Sequence, residues 1–136
     1  MMLVDAGPLV ALLDKDDANF ARCVDVAKQL PTGPLLTTWP CFTEAMYLLG
    51  EVGGFRFQFE LWKLQKAQRL ILHTLSNSEI ERMAELMEKY HDTPMDLADA
   101  SIVAAAENLS LHRLFALDSD FHFYRLKDGS ALEIVP

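Results

Sequence analysis

The chain has 136 residues, 51% of them hydrophobic, and carries 20 acidic against 12 basic side chains, a formal net charge of −8. With no Pro/Gly/Ser-rich linker, low-complexity run or repeat, it suits one core and one domain over residues 1–136. The charge excludes a simple basic nucleic-acid coat protein. It leaves open chemistry in which carboxylates hold divalent cations that invert the local field.

Met2-Leu3-Val4 is a short apolar run that predicts a buried strand ending at Asp5. Asp5 interrupts the run and no basic segment precedes it, so it does not read as a signal peptide. The stretch Gly7 to Leu13 is far too short to span a bilayer, and a soluble, cytoplasmic protein is expected. Gly7-Pro8 breaks the strand, and Pro8 suits the first turn of a helix through Leu13. Phe20, Val24, Ala27 and Leu30 recur at helical spacing and predict a helix over Asp16 to Leu30, stopped by Pro31-Thr32-Gly33-Pro34. Leu35-Leu36 is a second strand. Thr38 then caps a helix with Pro40 in its first turn, running through Leu49 to Gly53-Gly54.

Phe55 to Glu60 alternates like a strand, yet Trp62 to Leu70 reads as helix, and the Lys, Gln and Ala content decides for helix. Ile71 to Leu75 is a third strand. Ser76 and Glu79 match a capping box that opens a helix through Ile80, Met83, Met87 and Tyr90. Thr93-Pro94 opens the next helix, through Asn108, whose small apolar interior, Ser101 to Ala106, predicts tight packing. Leu114 to Leu117 is a fourth strand ending at Asp118, and Leu132 to Val135 a fifth. Strands alternating with helices imply an α/β fold, with a mainly parallel sheet and helices on both faces. In such sheets, sites form outside the carboxyl ends of the strands.

That rule singles out Asp5 and Asp118, which each follow a strand directly; if those strands are neighbours, the two carboxylates meet. Asp99 sits in a helix of small and apolar residues, with Asp96 three residues earlier on the same face. Glu44 lies about a turn into the helix opened by Pro40. Taken singly, most have a structural explanation. Asp5 can cap a helix, Asp96 can be the capping-box acid beneath Thr93, Asp118 can open the turn Asp118-Ser119-Asp120, and Glu44 can be an exposed helix residue. Asp99 resists this treatment, because an unpaired buried carboxylate is costly. Two carboxylates about 5 Å apart repel by about 3 kcal/mol at an effective dielectric of about 20, so gathered acids call for cations. Hard oxygen donors with no converging His or Cys favour Mg²⁺ or Mn²⁺ over zinc. Such ions can stabilise the attacking and leaving oxygens of a phosphodiester displacement.

Over essentially its whole length the sequence resembles the PIN-domain family, in particular the VapC-type toxins of bacterial toxin–antitoxin pairs. Leu3-Val4-Asp5-Ala6-Gly7-Pro8-Leu9 looks like the family's opening strand and first acid, and Thr43-Glu44 like its second motif. Met95 to Glu107, with Asp96 and Asp99, looks like the third and most specific motif, and Phe115-Ala116-Leu117-Asp118-Ser119-Asp120-Phe121 like the fourth. The resemblance implies a PIN-like three-layer α/β/α fold with a mainly parallel sheet of four to five strands. It implies Mg²⁺- or Mn²⁺-dependent endonuclease activity on RNA, a homodimer and a cognate antitoxin. Asp5, Glu44, Asp99 and Asp118 match the catalytic, metal-holding quartet, and Asp96 and Asp120 match positions that are often acidic and assist. Two positions depart from the pattern. Ala6 follows the first acid and Ala116 stands two before the fourth, where the family usually carries Thr or Ser. They keep open a second class, a non-catalytic PIN-like module that binds RNA or a protein partner. A phosphatase of the haloacid-dehalogenase type is disfavoured, because Gly7 stands where its second Asp is needed.

Cys23 and Cys41 form no CxxC pair and read as small buried hydrophobes. His73, His91, His112 and His122 are scattered without ligand or triad spacing. Arg56, Lys63, Lys66 and Arg69 gather in one segment as a solvated helix face or, less simply, a rail for phosphates. Phe55, Phe57, Phe59 and Trp62 read as core or dimer interface, more aromatic surface than one small core hides. Arg125 reads as a surface charge within possible reach of a phosphate.

Overall fold

Strand β1 (Met2–Val4) is apolar throughout and buried along its whole length, as a central strand of a parallel sheet must be. The structure, a computed structural model, describes residues 1–136. On one side of β1 lies β2 (Leu35–Thr38), with β3 (Leu70–His73) beyond it. On the other lies β4 (Arg113–Phe115), with β5 (Glu133–Val135) beyond. All the pairings are parallel, in the order β3-β2-β1-β4-β5.

Parallel neighbours need crossovers, and helices supply most of them. Helices α1 (Ala6–Leu13) and α2 (Phe20–Gln29) join β1 to β2, α3 (Trp39–Gly53) and α4 (Phe55–Lys66) join β2 to β3, and α5 (Asn77–Lys89) and α6 (Leu97–Leu109) join β3 to β4. Only a 3₁₀ turn, Ser119–His122, lies between β4 and β5. Side chains alternate across the strands. Leu3 and Leu114 pack with Met83, Leu86, Ile102 and Val103 of α5 and α6, while Met2, Val4 and Phe115 pack with Leu9, Phe42, Leu49 and Leu61 of α1, α3 and α4. The result is the expected three-layer α/β/α arrangement, with one hydrophobic cluster on each face of the sheet. No helix is long and apolar enough to cross a membrane.

Several boundaries differ from the sequence expectation, each for a local reason. Helix α2 starts at Phe20 rather than Asp16. The Asp14 carboxylate accepts from the Asp16 N–H at 3.1 Å and that of Asp17 from the Asn19 N–H at 2.8 Å, and these side-chain turns compete with helix. The ambiguous segment after Gly54 is helix, but it ends at Lys66, because Gln68 takes a left-handed φ of 58°. Phe57 and Trp62 turn into the core while Phe55 and Phe59 stay exposed, so the aromatic stretch divides between two environments. Helix α6 starts at Leu97, not at Thr93-Pro94. Thr93 and Met95 close tight turns, and Asp96 is the cap. Strand β4 ends at Phe115, so Asp118 lies in the loop beyond it rather than at its last residue.

Every residue of α6 from Ala98 to Ala106 is buried, and its small side chains let it lie against α5, α3 and the sheet at once. Ala105 has no exposed surface. Ala105→Leu is therefore expected to overpack this helix, at a cost of about 1–3 kcal/mol. Circular dichroism should record a melting temperature lower by roughly 3–12 °C. An unchanged melting temperature would mean that α6 is not packed this tightly.

Candidate active site

The parallel register of β1 with β4, Leu3 opposite Leu114 and Val4 opposite Phe115, carries Asp5 and the loop holding Asp118 to the same carboxyl edge of the sheet. The Asp5 N–H donates to the Phe115 carbonyl at 2.9 Å, which extends the ladder to the acid itself. Asp5 is the cap residue of α1, yet its side chain makes no capping hydrogen bond, so its carboxylate is not consumed by the helix. Burial pushes the Asp5 carboxyl above the usual carboxylate range. The Ala6 N–H and the Cys41 thiol oppose that shift, and the charges of Asp118 and Asp96 add to it.

Asp99 lies in the first turn of α6 and is buried. Asp96 and Asp99 cap the helix reciprocally. The Asp99 N–H donates to Asp96 Oδ1 at 2.8 Å, and the Asp96 N–H donates to Asp99 Oδ2 at 3.4 Å. The capping role expected for Asp96 thus exists in another form, with Asp96 as the cap and Asp99 as the box acid. The Asp99 carboxyl is pushed up to about 8, by burial and then by the charges of Asp96 and Asp5, with that of Asp118 smaller. Glu44, on the exposed side of α3, is also pushed up, first by partial desolvation and then by Asp96, Asp5 and Asp118. Asp118 accepts from the Asp120 N–H at 2.9 Å, the turn role expected of it, while remaining exposed. Asp120 responds chiefly to desolvation and to Asp118 alone among the acids, so it stands at the edge of the group.

Asp5, Glu44 and Asp99 thus each feel the charges of Asp96 and Asp118. Their chemistry fits a hard divalent cation: carboxylates only, with no imidazole among them. As the side chains stand, however, no three His, Cys, Asp or Glu residues enclose one ion-sized point. Holding a cation requires exposed Asp118, Asp96 or Glu44 to rotate toward the buried pair, Asp5 and Asp99. A cleft of about 810 Å³ lies at the opposite, amino edge of the sheet among Leu9, Leu13, Leu30 and Leu64 and is lined by no carboxylate. It is remote from this chemistry.

A sequence profile of the PIN domain matches residues 2–128. The chain belongs to the PIN domain family. VapC20 of Mycobacterium tuberculosis, described as a sarcin–ricin loop cleaving toxin, has the same fold, with a TM-score of 0.86 over 100% of both chains at 17% identity. A toxin–antitoxin complex from Klebsiella pneumoniae matches with a TM-score of 0.65 over 89% of this chain and 90% of that one, at 20% identity. VapBC2 from Rickettsia felis, bound to a DNA fragment from its promoter, matches with a TM-score of 0.65 over 98% and 96%, at 13% identity. No curated protein matches the sequence.

In this PIN domain the acids are held by side chains to which sequence reasoning gave no part in the site. A buried chain of hydrogen bonds runs from the Cys41 N–H to Thr38 Oγ1 (3.4 Å), from there to Ser101 Oγ (2.6 Å) and on to the Ala98 carbonyl (2.7 Å). It pins the start of α3 to the first turn of α6. Cys41 is buried as expected, and its thiol also donates to Asp5 Oδ1 at 3.5 Å. The Tyr124 hydroxyl donates to Asp99 Oδ2 at 3.2 Å. Ser101, a lone hydroxyl in an alanine-rich helix, was the one available signal. The basic residues Arg56, Lys63, Lys66 and Arg69 lie exposed, with Lys63 paired to Glu60 at 2.9 Å, a solvated face. Arg125 folds back onto the His122 and Tyr124 carbonyls at 2.7 and 3.0 Å.

Asp99 keeps its proton to a higher pH in the folded chain than in the unfolded one, where its value is 3.8. Between that value and about 8 the folded state binds more protons, so metal-free stability falls as pH rises through this window. Asp99→Asn removes the charge. At the top of that window it should melt several degrees above the metal-free wild type, and the gap should close toward acid pH. Equal melting temperatures at the top of the window would contradict the clustering.

Proposed function

We propose that this PIN domain is a metal-dependent endoribonuclease, the toxin of a toxin–antitoxin pair, that hydrolyses RNA phosphodiester bonds with water as nucleophile. The observation that carries the reading is the gathering of Asp5, Asp99, Asp96, Asp118 and Glu44 around one edge of the sheet, each of the shifted carboxyls raised first by burial and then by its neighbours' charge. Asp5, Asp99, Asp118 and Glu44 would hold Mg²⁺ or Mn²⁺, with Asp96 and Asp120 assisting. The bound cation would supply neutralisation of the scissile phosphate and activation of the attacking water. Asp5 and Asp99 form the fixed part of the site, because burial and hydrogen bonds hold them. Glu44 and Asp118 would form its exposed rim. The raised carboxyl of Glu44 suits it to take up a proton during the attack. The sarcin–ricin loop described for one structural relative supports RNA as the substrate class, and the toxin–antitoxin complexes among the others support an antitoxin partner.

An RNA hairpin carrying a sarcin–ricin loop sequence tests the chemistry. Cleavage should require Mn²⁺ or Mg²⁺, stop with EDTA and leave 5′-phosphate and 3′-hydroxyl ends. Asp5→Asn and Asp118→Asn should each lower the rate by about a hundredfold or more without unfolding the protein. A 2′,3′-cyclic phosphate would show attack by the RNA's own hydroxyl and overturn the mechanism. Metal binding without cleavage of any RNA would instead support a non-catalytic RNA- or protein-binding module, with Ala6 and Ala116 the first positions to restore.

The same reading includes a homodimer. Tyr47 and Val52 of α3 and Phe55 and Phe59 of α4 are 65%, 48%, 70% and 40% exposed, a concentration of large apolar side chains that favours association. Light scattering should report a dimer, and Phe55→Ser with Phe59→Ser should shift it toward monomer. A wild-type monomer at high micromolar concentration would contradict this.

A further inference from the structure

Asp5 and Asp99 share a pattern of hydrogen bonding. Asp99 Oδ2 accepts from the Tyr124 hydroxyl at 3.2 Å and from the Asp96 N–H at 3.4 Å, whereas Asp99 Oδ1 has no donor. No buried side-chain oxygen in the molecule lacks a partner, so Oδ1 must reach solvent. Asp5 Oδ1 accepts from the Cys41 thiol at 3.5 Å, and no side chain donates to its other oxygen.

Both donors are themselves fixed. The Tyr124 ring is buried and wedged edge-on against Tyr90 and Phe121, with centroids 5.1 and 5.5 Å away. Its one proton has a second acceptor, the Pro94 carbonyl at 3.3 Å, but once Asp99 is ionised, as a bound cation would require, the carboxylate is the stronger partner. Cys41 is fully buried in the first turn of α3, with the Ala98 carbonyl farther away at 3.7 Å. The nearby hydroxyls are engaged elsewhere: Thr37 on the Val4 carbonyl, Thr38 on Ser101, and Ser101 on the Ala98 carbonyl. The side chains of Ala6 and Ala116 have no donor to offer, and of the two only the Ala6 N–H acts on Asp5. Tyr124 and Cys41 are therefore the only side chains that donate to the two buried acids.

We propose that Tyr124 and Cys41 are positioning residues for the cation site, each fixing one oxygen of a buried carboxylate and leaving the other to the cation. The proposal rests on the metal-dependent reading above. Removing a group that orients a metal ligand typically weakens metal binding 10–100-fold.

Calorimetric titration of the whole protein with Mn²⁺ tests it, using wild type, Tyr124→Phe, Cys41→Ala and Cys41→Ser. Tyr124→Phe keeps the ring and loses only the hydroxyl, and Cys41→Ser keeps a donor. The affinities of Tyr124→Phe and Cys41→Ala should fall by about tenfold or more, and that of Cys41→Ser should stay within about threefold of wild type. Circular dichroism should show all four folded. A merely structural role would change melting temperature without changing Mn²⁺ affinity, and serine would have nothing to rescue. Wild-type affinity in both Tyr124→Phe and Cys41→Ala would overturn the positioning role and leave the ribonuclease reading intact. No Mn²⁺ binding by the wild type would overturn the metal reading, and the proposal with it.

Discussion

Asp5 and Asp99 have lost most of their contact with water, and each sits within the field of Asp96 and Asp118. This crowding of buried acids is the constraint on which the rest of the site depends. Carboxylates free to move would separate and hydrate. Here they cannot, because Asp5 is fixed by the ladder that continues β1 onto β4, and Asp99 by the first turn of a helix with no room around it. Folding therefore stores repulsion at the carboxyl edge of the sheet, and either a proton or a cation can relieve it. In the metal-free chain Asp99 takes the proton, and a cation that displaced it would relieve the same repulsion.

The surrounding structure serves to maintain that arrangement. Apolar packing on both faces of the sheet supplies the stability that a crowded acid cluster removes. The buried alanines of α6 allow its first turn to approach the sheet closely, and the chain through Thr38 and Ser101 ties it to α3. Asp96 and Asp99 serve twice. Their reciprocal capping bonds satisfy helix N–H groups, and the positive end of the helix dipole partly offsets their charge. Capping at these positions therefore does not exclude the proposed cation-holding role.

Most of the fold was legible because apolar strands, the Ser76–Glu79 capping box and the Thr38 cap are local signals, and all of them recur in the structure. The boundaries that differed were decided by side chains competing with the backbone, as at Asp14 and Asp17 before α2, or by the choice between two caps, Thr93 and Asp96, for α6. The acids were legible because strand ends and an acid in an apolar helix are visible in one dimension. Their partners were not. Cys41 is 36 residues from Asp5 and Tyr124 is 25 from Asp99, and nothing in a linear pattern joins them. Hydrogen bonds between distant side chains are set by packing, and the pattern that predicts packing does not predict which polar atoms it brings together.

Thermal melting at mildly alkaline pH with and without Mn²⁺ tests the central claim, that folding holds these acids in a cation-binding cluster, most directly. Binding to the folded state alone stabilises it by about 2.7 kcal/mol at a hundred times the dissociation constant. The wild type should therefore melt several degrees higher with Mn²⁺ present, while Asp99→Asn should start higher without metal and gain little from it. A wild type indifferent to Mn²⁺, or an Asp99→Asn variant that gains as much as the wild type, would contradict a cation-holding cluster at this edge of the sheet.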